Sequence, residues 1–182
     1  MTGLCKYRGR SALLFAAMLF ALPHGSLRAQ ESALSDAEVE RLRDTAASAP
    51  ERVMAFVGFI DQRTARIDKL TTGKRQPGRE EDIHDLLEQT TSILDDLEDN
   101  LDDYSKRHWD IRKVLPKLVA ASERWGTLLR SPPESPAYSV SRKLALESLQ
   151  DVHEAALKMI DEQKAWFAAH PPEKQTLRSE PR

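Results

Sequence analysis

The chain of 182 residues contains a single cysteine, Cys5, and only seven glycines. One cysteine excludes an intrachain disulfide framework, and its place near the N-terminus leaves no thiolate nucleophile or cysteine metal ligand in the body of the protein. The sparse glycines form no phosphate-cradling loop, and no nucleophile elbow or Cys/His pair accompanies them. Strand signals are nearly missing. No apolar run reaches the roughly 20 residues a bilayer-spanning helix needs. Stability must therefore come from helix packing alone, in a chain long enough for one ordinary domain.

The N-terminus reads as a secretory signal. Lys6, Arg8 and Arg10 precede the apolar run "SALLFAAMLFAL" (residues 11–22), Pro23 and Gly25 break it, and Ala29 offers a small residue at a cleavage point. An uncleaved membrane anchor is the alternative reading. Cleavage after residue 29 removes four basic residues (Lys6, Arg8, Arg10, Arg28) and no acidic one. The remaining 23 basic and 29 acidic residues carry a net charge of −6. An acidic surface of that kind disfavours nucleic acid as a partner.

Helix signals fill the rest. "LSDAEV" is a capping box in which Ser35 and Glu38 can bond each other's backbone, and a short helix follows through Ala46. Ser48 and Glu51 repeat the box, with Pro50 tolerated in the first turn. Val53, Phe56, Val57, Ile60, Thr64, Ile67 and Leu70 then recur at helical spacing, and Gly73 is placed to cap that helix. A third helical stretch covers residues 79–130. "SPPESP" (131–136) is the clearest loop, and a last helix spans residues 137–169. Three segments result: a signal peptide at 1–29, a helical domain at 30–170 and a polar tail at 171–182.

The third stretch carries a near-strict heptad. With Leu87 at position a, the a positions are Leu87, Leu94, Leu101, His108, Leu115, Ser122 and Leu129. The d positions are Ile83, Thr90, Leu97, Tyr104, Ile111, Leu118 and Trp125. This repeat predicts coiled-coil-like packing. Pro116 lies within it, and because the register continues across that residue a kinked continuous helix is expected there. The fold class predicted is all-α: an antiparallel bundle of three long helices, one kinked at Pro116, plus a short N-terminal helix.

Six carboxylates crowd the segment 95–103, the densest acidic run in the chain. In the heptad frame Asp95 and Asp102 fall at b, Asp96 and Asp103 at c, Asp99 at f and Glu98 at e, so five of the six point away from the seam. Bundle metal sites need carboxylates converging inward from several helices, and a solvated face is predicted instead. Polar groups enter the seam just beyond. Asn100 and Arg107 fall at g, Tyr104 at d and His108 at a, where they must be hydrogen-bonded, solvated or used. A register-fixing polar network is one reading, and a ligand or partner site at Tyr104, Arg107, His108 and Trp109 is the other. Trp109, at outward position b beside Arg107, is a candidate contact anchor unless the first helix covers it.

Catalytic and cofactor patterns are weak. Glu81 and His84 match half of a di-iron Glu-x-x-His pair, but the second candidate has Gln150 before His153. Met54 and His153 could in principle ligate a haem, though nothing in their spacing singles them out. The expectation is no enzyme, no metal and no cofactor.

The segments "LSDAEVERLRD", "APERVMAFVGFIDQR" and "DLLEQTTSILDDLEDNLDDYSKR", in that order, resemble exported helical proteins of unknown function from Gram-negative bacteria. The resemblance implies an exported helical domain and carries over no catalytic residue. Two functions follow as expectations. One is a binding or scaffolding module in the periplasm or outside the cell, with an envelope or extracellular protein or a second copy of the chain as partner. The other is a small-ligand, haem or metal carrier with a pocket at the polar mid-seam around His108. No membrane insertion is expected once the signal is removed.

Overall fold

The computed structural model describes residues 33–171. The segment 1–29, expected to be a signal peptide, and nearly all of the expected polar tail, residues 172–182, lie outside the described residues. Five helices occupy the described part: α1 (Asp36–Asp44), α2 (Ala49–Thr72), α3 (Arg79–Lys106), α4 (Leu115–Arg130) and α5 (Ser139–Ala169). The chain is all-helical there.

Helix α1 begins with the box read from the sequence. The Ser35 amide donates to Glu38 Oε2 at 2.8 Å and the Glu38 amide to Ser35 Oγ at 3.4 Å. Ser48 does not repeat it: it is the N-cap of α2 but makes no side-chain bond, and Pro50 supplies the first-turn signal instead. At the end of α2, Gly73 has extended backbone (φ −75°, ψ 175°). A Cβ there would meet the Lys69 carbonyl oxygen at 2.7 Å, so close approach is what requires glycine.

The expected kinked helix over 79–130 is corrected. It is two helices joined by residues 107–114, and Pro116 lies in the first turn of α4, where its missing amide has no intrahelical partner to lose. Four substantial helices, not three, therefore build the core. Yet the heptad frame survives the break. Every a and d residue from Ile83 to Leu129 is buried except His108.

Cross-helix bonds fix the directions. Arg52 bonds Asn100 and Arg63 bonds Gln89, so α2 and α3 run antiparallel. Ser122 meets His153 and Gly126 faces Leu149, which makes α4 and α5 antiparallel as well. By contrast His84 meets Ser141 and Ile111 meets Gln163, so α3 and α5 run parallel. Helices α2 and α4 are also parallel: Val114 lies with Met54, and Trp125 Nε1 donates to Asp61 Oδ1 at 2.6 Å. Packing links α2 to α3, α3 to α5, α5 to α4 and α4 to α2. Sequential helices α3 and α4 are thus diagonal partners, and the connector 107–114 crosses one end of the bundle to join them.

Helix α1 is held on α2 by a buried ion pair. Arg63, 9 % exposed, donates to both carboxylate oxygens of Glu38, to the Ala33 carbonyl at 2.8 Å and to Gln89 at 3.4 Å. The guanidinium holds the Glu38 carboxyl down to about 2, despite burial that opposes it.

Candidate binding site at the crossing end

Residues around the connector form the most unusual local chemistry of the fold. Helix α3 closes with a Schellman motif. The His108 amide donates to the Ser105 carbonyl at 3.2 Å and the Trp109 amide to the Tyr104 carbonyl at 3.0 Å. The motif needs a left-handed residue at the position His108 occupies, and its φ is +55°. Glycine normally fills that position because a side chain there is strained. The hydrophobic contact that accompanies such caps is present too: Tyr104 and Trp109 stack with centroids 5.4 Å apart at 10°.

His108 is compensated by a second stack. Its ring lies 3.5 Å from that of Trp166 at 9°, and His170 lies 3.8 Å from Trp166 at 20°. At those separations two rings cannot share one face, so the imidazoles sandwich the indole. The Arg112 guanidinium sits 4.2 Å above the Phe167 ring and is held there by two bonds to Asp110, at 2.9 and 2.7 Å. That pairing keeps the Asp110 carboxyl below its usual range. Arg107 bonds Asp103 at 2.7 Å and lies 5.9 Å from the Trp109 ring.

Beneath this surface the connector is bolted to the core. Gln163, buried on α5, accepts from the Ile111 amide at 3.1 Å and donates to the Trp109 carbonyl at 2.8 Å. Tyr104, buried, donates to Asn100 Oδ1 at 3.1 Å, and Arg52 donates to the same oxygen at 2.9 Å. Burial pushes the Tyr104 phenol up. Arg52 also donates to the Leu42 carbonyl at 2.8 Å, so α1, α2 and α3 share one network.

The four residues singled out from sequence are therefore brought together, but not as a mid-seam pocket. Tyr104 occupies the seam as its d position demands. His108 does not: it is exposed in the cap, outside the seam, and this corrects its assignment to a buried a position. Trp109 is 37 % exposed, and its partner is Tyr104. Trp166, Phe167, His170, Arg112 and Gln163 complete the site and were missed. Gln163 alone left a signal, a polar residue within an apolar stripe.

The remaining candidates disperse. The acidic run is solvated as predicted, with Asp95, Asp96, Asp99 and Asp102 exposed and Glu98 and Asp103 half-buried. Glu98 is nonetheless pushed up, by desolvation first and then by repulsion from Asp151 on α5 and its own acidic neighbours. Glu81 is exposed, while His84 bonds Ser141 at 3.0 Å and its Nε2 lies 3.2 Å from Glu88 Oε1. Met54 lines a groove of about 410 Å³ with Gly58, Phe59 and Val114, whereas His153 bonds Ser122 at 2.7 Å. Among the described residues no group of three or more His, Cys, Asp or Glu could hold a metal ion, and no helix is long and apolar enough to cross a membrane. Comparison of the chain with protein-family models, curated proteins and solved structures returns no match.

Proposed function

We infer that the chain is an exported binding or scaffolding module that works in the cell envelope or outside the cell through its helix surfaces, without catalytic chemistry of its own. The observation that carries this reading is the crossing end of the bundle. It presents Trp109, His108, His170 and Arg107 at the surface, each fixed by stacking or ion pairing rather than left free. Rigid aromatic and arginine side chains on a surface are the usual anchors of protein–protein contacts, because little conformational entropy is lost when they are covered. The basic, apolar, then small-residue pattern over residues 1–29 supports export. The carrier reading draws less support, since its key residue, His108, stands outside the seam.

The test has two parts. Mass spectrometry of the protein recovered from the periplasm or medium of an expressing Gram-negative host should find an N-terminus at or within a few residues of Gln30, and an intact residue 1 in the membrane fraction argues against export. Photo-crosslinking in envelope extract, with a crosslinker placed at Trp109, should capture one specific protein. Labelling no greater than that from a crosslinker at exposed Lys143, on the far end of α5, removes the assignment of this surface.

A further inference from the structure

The connector 107–114 contains neither glycine nor proline, although it turns the chain back across the bundle. Its turn is made by a histidine at φ +55°, a conformation that L side chains rarely adopt. The a/d pattern runs through it without a phase change, from Leu101 and Tyr104 to Ile111, Leu115 and Leu118, all buried. Nothing in these eight residues opposes a helix. A continuous helix over 79–130 would keep one apolar stripe along its whole length and would relax His108 to right-handed geometry. It would extend for about 78 Å, too far for α4 to pack on its own α2.

We propose that this connector is a hinge through which two copies of the chain exchange their α4–α5 hairpins. In the exchanged dimer each α4–α5 packs on the α1–α3 unit of the other copy, remaking the same core contacts. Two features hold the closed monomer. Pro116 fits the first turn of α4, but inside a continuous helix it lacks the amide that would bond the Arg112 carbonyl, and its ring clashes there. Gln163 ties the crossed connector down through Ile111 and Trp109. A strained hinge without a flexible residue is the setting in which exchange is cheap. Exchange of this kind requires neither export nor an envelope partner.

Pro116→Ala tests it. Pro116 is exposed, so the change leaves no cavity. Removing the proline penalty favours the straight form about 100-fold per chain, hence about 10⁴-fold in the dimerisation constant. The wild-type protein and the variant, refolded over a range of concentrations, are compared by size exclusion with light scattering. The expected result is a dimer fraction in the variant that rises with concentration and far exceeds that of the wild type. Exchange is identified by adding His84→Cys and Ser141→Cys on a Cys5→Ser background, because these side chains meet across α3 and α5 at 3.0 Å. An exchanged dimer forms that disulfide between chains, and a side-by-side dimer forms it within each chain. Adding His108→Gly, which relieves the closed turn, should lower the dimer fraction. A Pro116→Ala protein that stays monomeric at every concentration overturns the proposal, as does a dimer whose disulfides are all intrachain or one indifferent to His108→Gly.

Discussion

The left-handed turn at His108 makes a quantitative prediction that separates a cap from a buried seam. Two opposing effects act on the residue. Holding a non-glycine residue at φ +55° costs roughly 1–2 kcal/mol, while stacking on Trp166 at 3.5 Å returns about 0.5–1.5 kcal/mol. His108→Ala removes the stack and keeps the strain, so it should destabilise by about 1 kcal/mol. His108→Gly removes both and should lie close to wild type. The informative quantity is the difference between the two variants, about 1 kcal/mol in favour of glycine, or about 2–4 °C in melting temperature for a chain of this size. His108→Leu keeps the strain and exposes an apolar side chain, so it should fall below wild type as well. Thermal melts followed by circular dichroism at 222 nm, with urea unfolding to confirm, give all three values. Alanine matching or exceeding glycine, or leucine exceeding wild type, would return residue 108 to a helical, buried seam and refute the cap.

Three further measurements probe the rest of the structure. Glu38 is held near 2 in the fold against an ordinary 4.5, so its contribution is full above about pH 4.5 and is lost as pH falls toward 2. The whole shift corresponds to on the order of 3 kcal/mol, of which about 2 kcal/mol is gone by pH 3; urea unfolding at pH 6 and pH 3 should show that loss in wild type and much less of it in Glu38→Gln. Replacing Asp95, Asp99 and Asp103 together with Asn should change stability by less than about 1 kcal/mol, whereas Leu94→Ala or Leu101→Ala, both at fully buried seam positions, should each cost about 2–5 kcal/mol; similar losses from the triple variant would place the acidic face inward. Gln163→Leu strands the Ile111 amide and the Trp109 carbonyl and should cost about 1–3 kcal/mol, with faster amide exchange at Ile111 as its local signature.

What could be read from the residues divides along a physical line. The helices were legible because amphipathic spacing is a local property: the apolar positions of α2, α3 and α5 recur every three or four residues, and burial follows them. The solvated acidic face followed from the same frame, since a stripe that buries Leu94, Leu97 and Leu101 leaves Asp95, Asp99 and Asp102 no inward direction. The Ser35–Glu38 box was legible for the same reason, being a contact three residues apart. Its imitation at Ser48 is incomplete because the Ser48 amide already donates to the Thr45 carbonyl, which leaves Glu51 no backbone donor to reach back to.

The break between α3 and α4 belongs to the other side of that line. Heptad spacing reports which residues are buried, not whether the chain between them is straight. A helix that stops at Lys106 and returns diagonally still buries Ile111 and Leu115, so the pattern is blind to the reversal. The usual local sign of a reversal, a glycine at the left-handed cap, is replaced here by His108. Its compensation comes from Trp166, 58 positions along the chain, and that of the connector's amide and carbonyl from Gln163. Long-range contacts of that kind leave no periodic trace. The candidate site inherits this property. Tyr104, Arg107, His108 and Trp109 were visible as polar and aromatic interruptions of a seam, yet the surface they form exists only because α5 runs parallel to α3 and delivers Trp166 and His170 to the same end of the bundle.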